Sequence, residues 1–183
     1  MIGKRGVGIA VACLALAAAG TGGAPSAQAH GRGPDRDHTV EDCTGEESIT
    51  YGPGLSLSSA PVAVSVDGTY HCTDRPGHLV TATYHTEGTT GGSCLLLAGN
   101  RSEETLHYAD GGTTVIAYRS GPSVRLVGVN TAVLSGVVVA GRGKGSAAEK
   151  TIQTLPGSLP TDCVLAPGGL RHTTAFTHLS LHP

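Results

Sequence analysis

The stretch HGRGPDRDH, residues 30–38, places a histidine where an exported chain would start if its leader were cut after Ala29. A terminal amine and the imidazole of the same residue can together grip a copper ion, so His30 is the candidate metal ligand of this sequence. Gly31, Arg32, Gly33 and Pro34 follow it at once and favour a mobile backbone. A catalytic copper site needs its ligands held by neighbours, which such a segment does not provide. The residues therefore favour a tail with adventitious metal affinity at His30 and His38.

The chain has nine histidines, and their spacing matters more than their number. His178 and His182 share a strand face but stand about 13 Å apart by strand rise, too far to chelate one ion. His71, His85 and His107 each neighbour a tyrosine and are candidates to meet across strands. The simpler reading, exposed strand histidines that bind nothing, is preferred. Glu46 and Glu47, like Glu103 and Glu104, are adjacent, and neighbours on a strand point to opposite faces, so neither pair forms a carboxylate dyad by itself. Charged pairs of this kind read as solvated strand edges. No G-x-S-x-G or H-E-x-x-H occurs, and with no Trp and one Phe the chain lacks the aromatic platforms expected of a sugar-cleaving enzyme.

The elements that would position these side chains begin after a leader. Lys4 and Arg5, an apolar run from Val7 to Ala19 and small residues at Ala27 and Ala29 read as a secretory signal over residues 1–29. The alternative is a lipid anchor through Cys13. The apolar run is too short to span a membrane. With Cys13 removed, Cys43, Cys72, Cys94 and Cys163 remain, an even count that argues for two disulfides. A hairpin joining 43 to 72 would be centred on Leu57 and Ser58, in the turn-like SLSSAP, which favours Cys43 with Cys72 and leaves Cys94 with Cys163. The GPG at 52–54 is the weak point of that hairpin. Each bridge would contribute about 3 to 4.7 kcal/mol on the chain-entropy model. Net charge is −2, with no basic stripe, so nucleic acid is not an expected partner.

Residues 30–42 lack apolar periodicity and read as a flexible tail, leaving 43–183 as a single β domain. Within it Val62, Val64 and Val66 alternate with Ala63 and Ser65, and Val80, Ala82 and Tyr84 alternate with Thr81, Thr83 and His85. Similar runs recur at SCLLLAG, ETLHYA, TTVIAYRS, SVRLVGV, TAVLSGVVVAG, KTIQTL and RHTTAFTHLSL, with turn signals at ADGG and GRGKGSA. SAAEKTIQ is the one stretch with room for a helical turn. About nine or ten strands are expected, in an all-β antiparallel meander closed as a barrel, the alternative being a two-sheet β-sandwich.

CTGEESITYGPGLSLSSAPVAVSVDGTYHC, with SCLLL and LPTDC, resembles a group of small exported β-rich proteins of actinomycete-type bacteria. That resemblance implies export and an all-β fold and carries no catalytic residue. GRGKGSA is similar to a stretch in barrels of the allene-oxide-cyclase and dirigent type, without the aromatic expected inside that motif. The AHG around His30 is similar to the start of the bacterial lytic polysaccharide monooxygenases, which implies a copper-binding amine, imidazole and second histidine.

Taken together, the residues point to a secreted, non-catalytic β domain that binds either a small apolar ligand in a barrel mouth or an extracellular protein at a sheet face. Tyr84, Tyr108, Tyr118 and Val138 are the candidate lining residues. The alternatives are a copper-dependent enzyme at His30 and a structural, cell-wall-associated protein. No cofactor and no membrane span is expected, and the chain is expected to be a monomer. If residues 30–37 are only a tail, deleting them leaves the thermal midpoint nearly unchanged, and copper titration followed by electron paramagnetic resonance finds weak, heterogeneous binding. A tight one-to-one copper site that disappears when the terminal amine is blocked would reverse this reading.

Overall fold

Side chains alternate between inside and outside along each long strand, and the inward set is continuous from one strand to the next. The computed structural model describes residues 41–75, 77–94, 96–121, 123–126, 129–154, 163 and 168–183. The leader, Cys13, His30, His38 and the rest of 1–40 lie outside the described residues. The strands are β1 (Glu41–Leu55), β2 (Val62–Arg75), β3 (His78–Ser93), β4 (Leu96–Tyr108), β5 (Thr113–Ser120), β6 (Ser123–Leu126), β7 (Val129–Gly141), β8 (Ala147–Thr154) and β9 (Leu170–His182). Glu41 and Asp42 thus belong to the sheet, two residues before the expected start of the domain; Glu41 is buried and Asp42 exposed, continuing the strand alternation.

All pairings between these strands are antiparallel, in the order β5-β4-β3-β2-β1-β9-β8-β7-β6, and a further pairing of β5 with β7 closes the sheet on itself. The result is an up-and-down barrel of eight staves, which corrects the count of nine or ten and sets aside the sandwich. Two features account for the difference. SCLLLAG and ETLHYA, read as separate runs, lie largely in the single strand β4. β6 continues β5 along the same partner, since Ser120 pairs with Ser135 of β7 and Ser123 with Ala132, so the two pieces form one interrupted stave. SAAEKTIQ supplies β8 and no helical turn.

β1 and β2 keep one register from Asp42↔Thr73 to Gly52↔Ala63, which centres the hairpin between Leu57 and Ser58 and sets Cys43 directly opposite Cys72. Those two form one disulfide and Cys94 with Cys163 the other, as the spacing predicts. The GPG anticipated as a weak point begins at Gly52, the last paired residue of the hairpin, and its irregularity falls in the pairing of β1 with β9, which is interrupted between Thr50 and Leu55. ADGG turns β4 into β5, with the Gly111 amide donating to the Tyr108 carbonyl at 2.9 Å. GRGKGSA turns β7 into β8, and Gly141 there has φ +81°, a backbone that L side chains rarely adopt.

The barrel interior is filled by cross-strand pairs of unequal size. Gly45 lies opposite Tyr70, Gly68 opposite Tyr84 and Gly136 opposite Tyr118. Each glycine leaves the space that its neighbour's ring occupies, the same device by which aromatics cover glycines in curved sheets. All five tyrosines are buried, while the single phenylalanine, Phe176, is 48 % exposed on the outer face of β9.

A Cβ at position 68 would run into the Tyr84 ring. That ring cannot easily yield, because it stacks on Tyr70 with centroids 4.1 Å apart. Gly68→Ala should therefore cost about 1 to 3 kcal/mol in urea unfolding. The cost should shrink markedly in a Tyr84→Leu background, and an unchanged cost in that double-mutant cycle would show that the ring is not what the glycine accommodates.

Candidate ligand cavity and its charged floor

Three ionisable side chains from three staves meet in the middle of the barrel. Glu47 of β1, Glu104 of β4 and Lys150 of β8 share strand parity with their buried neighbours Ile49, Leu106 and Ala148, so the pleat alone turns them inward. Lys150 Nζ donates to Glu47 Oε2 at 2.8 Å and to Glu104 Oε2 at 2.5 Å, and the side chains of all three are at most 1 % exposed. Removing a charge from water costs several kcal/mol per ion unless close partners and further hydrogen bonds offset it, and those further bonds are present. Thr86 donates to Glu104 Oε2 at 2.8 Å, Tyr118 to Glu104 Oε1 at 3.2 Å, Tyr70 to the same oxygen at 3.4 Å, and Tyr84 to Glu47 Oε2 at 2.7 Å. The ammonium also sits over the Tyr84 ring, 4.4 Å from its centroid.

Burial by itself would lower the Lys150 pKa, but Glu104 and then Glu47 outweigh it and hold the ammonium charged well above the usual lysine range. A lysine held in that state is no nucleophile. One polar atom of the cluster is left over: Glu47 Oε1 is buried and has no hydrogen-bond partner.

On the side of this cluster where β1 ends and β2 begins, a cavity of about 70 Å³ opens into the barrel mouth. Ile49, Val64, Val66, Ala132, Leu134 and Ile152 supply apolar walls, Thr90, Asn100, Asn130 and Thr154 add polar groups, and Glu47 and Lys150 contribute to the floor. The other end is plugged. There Tyr108 donates to Glu41 Oε2 at 3.0 Å, the Arg142 guanidinium lies 4.2 Å from the Tyr108 ring centroid, and Arg142 pairs with Asp110 at 2.8 Å.

Of the residues singled out from the sequence, Tyr84, Tyr108, Tyr118 and Val138 all point into the barrel and are buried. Tyr84 and Tyr118 bind the charged cluster, Tyr108 belongs to the plugged end, and the cavity walls are made by other residues. The adjacent glutamates do divide between the two faces, with Glu46 and Glu103 outside. Their partners Glu47 and Glu104 are not solvated edges, however: the barrel brings them to one lysine. The strand parity of Glu47 with Cys43, Ile49 and Tyr51 was the available signal.

The strand histidines His71, His85, His107, His172, His178 and His182 lie on the outer face. His85 bonds Asp67 at 2.7 Å and Glu87 at 3.3 Å, contacts that raise its pKa. His178 bonds Asp42 at 2.9 Å. The one group of three potential metal ligands among the described residues is Glu41, Cys43 and Cys72, and its two sulfurs are joined to each other. No helix among the described residues is long and apolar enough to cross a membrane. Compared with models of known protein families and with curated proteins, the chain matches none.

Burial, chiefly, raises the pKa of all five tyrosines, and glutamates beside them add to it: Glu47 by Tyr51 and Tyr84, Glu104 by Tyr70 and Tyr118, Glu41 by Tyr108. A pKa raised by folding means that the folded state holds its proton longer. The stabilisation is complete below the unfolded value near pH 10 and is lost as pH rises above it, at about 1.4 kcal/mol per pH unit for each tyrosine. Phenolate absorbance should therefore stay flat through pH 10 and then rise together with loss of the β signal in circular dichroism. Phenolate forming near pH 10 with the fold intact would contradict the buried tyrosine layer.

Proposed function

We propose that this is an exported, non-catalytic barrel protein that takes a small, mainly apolar molecule into its mouth. The cavity above Glu47 and Lys150 carries the reading. Domain interiors normally pack with few voids larger than a water, whereas an eight-stranded barrel has room for one small ligand. Apolar walls with a few convergent polar groups are the usual make-up of such a site. Export is supported by the leader-like start of the chain and by two disulfides, which suit an oxidising compartment. The non-catalytic reading is supported by the floor, where the tyrosines are held protonated and the lysine charged.

Xenon tests the space without regard to ligand chemistry. In the wild-type protein, xenon pressure should shift the methyl resonances of Val64, Ile152 and Leu134, and Ala132→Leu, which fills the cavity, should abolish those shifts while keeping or raising the thermal midpoint. Shifts that are absent in the wild type, or unaltered in Ala132→Leu, would overturn the proposal.

A further inference from the structure

An ammonium and a carboxylate are the two halves of an amide, and here they are held in contact away from water. Lys150 Nζ lies 2.8 Å from Glu47 Oε2 and 2.5 Å from Glu104 Oε2, and the three side chains are at most 1 % exposed. Fixing two reacting groups at this range removes much of the entropic barrier to joining them. In bulk water such a pair stays ionic, because both ions are well solvated and excess water favours hydrolysis of the amide. Inside the barrel neither condition holds, and exchanging two buried charges for a neutral amide relieves their desolvation.

The hydrogen bonds give the two glutamates different parts. Glu104 has both oxygens engaged, Oε2 by Lys150 and Thr86 and Oε1 by Tyr118 and Tyr70, so it is a fixed carboxylate resting on the ammonium. Glu47 receives Lys150 and Tyr84 on Oε2 alone, and its Oε1 is buried without a partner. A native structure that keeps a buried acceptor unpaired calls for an explanation. Departure of that oxygen as water supplies one. The oxygen that stays, Oε2, already has the Tyr84 hydroxyl at 2.7 Å, a donor placed where negative charge develops when the carboxyl carbon is attacked.

We infer that Lys150 and Glu47 condense into an intramolecular amide that joins β8 to β1 through the lumen. Nζ attacks Glu47 Cδ while Tyr84 steadies Oε2, and Glu104 relays two of the Nζ protons to Oε1. The C–N bond forms, the C–Oε1 bond breaks, one water leaves and Glu104 ends as it began; nothing is oxidised or reduced. A lysine held charged does not attack passing molecules, but this reaction is needed once per chain and can proceed slowly through the minor state in which a proton has moved along an existing hydrogen bond. Exclusion of water then protects the product. Both Glu47 and Lys150 line the cavity, which gives the released water a space to enter. In the product the amide N–H donates to Glu104, the amide carbonyl accepts from Tyr84, and no orphan oxygen remains. The bond is independent of what the cavity binds.

Mass spectrometry of the mature protein after disulfide reduction tests this. The wild type should lie one water below the mass of its own sequence, and tryptic digestion should leave Lys150 uncut, in a branched peptide joined to the one that carries Glu47. Lys150→Met and Glu104→Gln should keep their full masses. Wild-type chain isolated in denaturant before folding should also have its full mass and lose the water on refolding, because the contact exists only in the closed barrel. A folded wild type of full mass overturns the proposal, and so does a water lost at any other pair of residues, a link from Lys150 to Glu104 included. A link that still forms in Glu104→Gln overturns the relay. Should either variant not fold, the wild-type mass and the branched peptide decide.

Discussion

Lys150 is the tie on which the cross-section of this barrel depends. Its two carboxyl partners sit on β1 and β4, neither of which is hydrogen-bonded to β8 in the sheet, so the contact runs through the lumen and not along the wall. Barrel closure by backbone ladders alone fixes which strands are neighbours and says little about how round the section is. An ammonium within hydrogen-bonding distance of two staves that are not its neighbours, one two places away across β9 and the other three places away across β7 and β5, ties those walls together across the interior. A buried ion pair is weak evidence of stability in itself, and loss of one partner typically costs about 3 to 5 kcal/mol because a charge is left stranded. The tyrosines belong to the same arrangement. Each buried glutamate accepts a tyrosine hydroxyl, Tyr108 for Glu41, Tyr84 for Glu47, Tyr70 and Tyr118 for Glu104, so the rings that fill the interior also solvate its charges.

Strands whose interior faces carry apolar residues were legible in the sequence. Val62 and Val66 are buried as their alternation indicates, and so are Val80, Ala82 and Tyr84, with Thr81, Thr83 and His85 exposed opposite them. The Cys43–Cys72 pairing followed from locating the turn, because antiparallel register is fixed once the centre of a hairpin is known. The charged floor was hidden for a different reason. Local pattern reveals which face a residue takes but not what stands across the lumen, and a glutamate between polar neighbours looks like a surface residue until the whole strand is phased. Glu104, in register with Leu106 and Tyr108, and Lys150, in register with Ala148 and Ile152, could have been phased in this way. That the two belong together needed the closed barrel.

The stave count went astray through the opposite effect. SCLLLAG, which ends at Gly99, and ETLHYA read as two runs, yet Gly99 lies inside the single strand β4, just as Gly136 lies inside the single run TAVLSGVVVAG and inside β7. In a tightly curved sheet, glycine marks bends and the places where a ring crosses, as at Gly136 opposite Tyr118, at least as often as it marks ends. A chain with 28 glycines and five tyrosines is therefore suited to a narrow barrel whose interior has little room for large side chains on both members of a pair.

The seam of the barrel joins its first and last strands, with Glu41 opposite Leu181 and Leu55 opposite Leu170. β1 enters beside the Tyr108 and Arg142 plug and runs toward the cavity, and β9 returns to the plug. Both ends of the folded unit thus emerge on the face away from the opening. A fusion partner, affinity tag or surface linkage attached to either end would hang from the stoppered base and leave the mouth unobstructed. The short gap between the two ends would also let them be joined directly and the chain reopened at a turn such as ADGG, without touching a residue of the cavity.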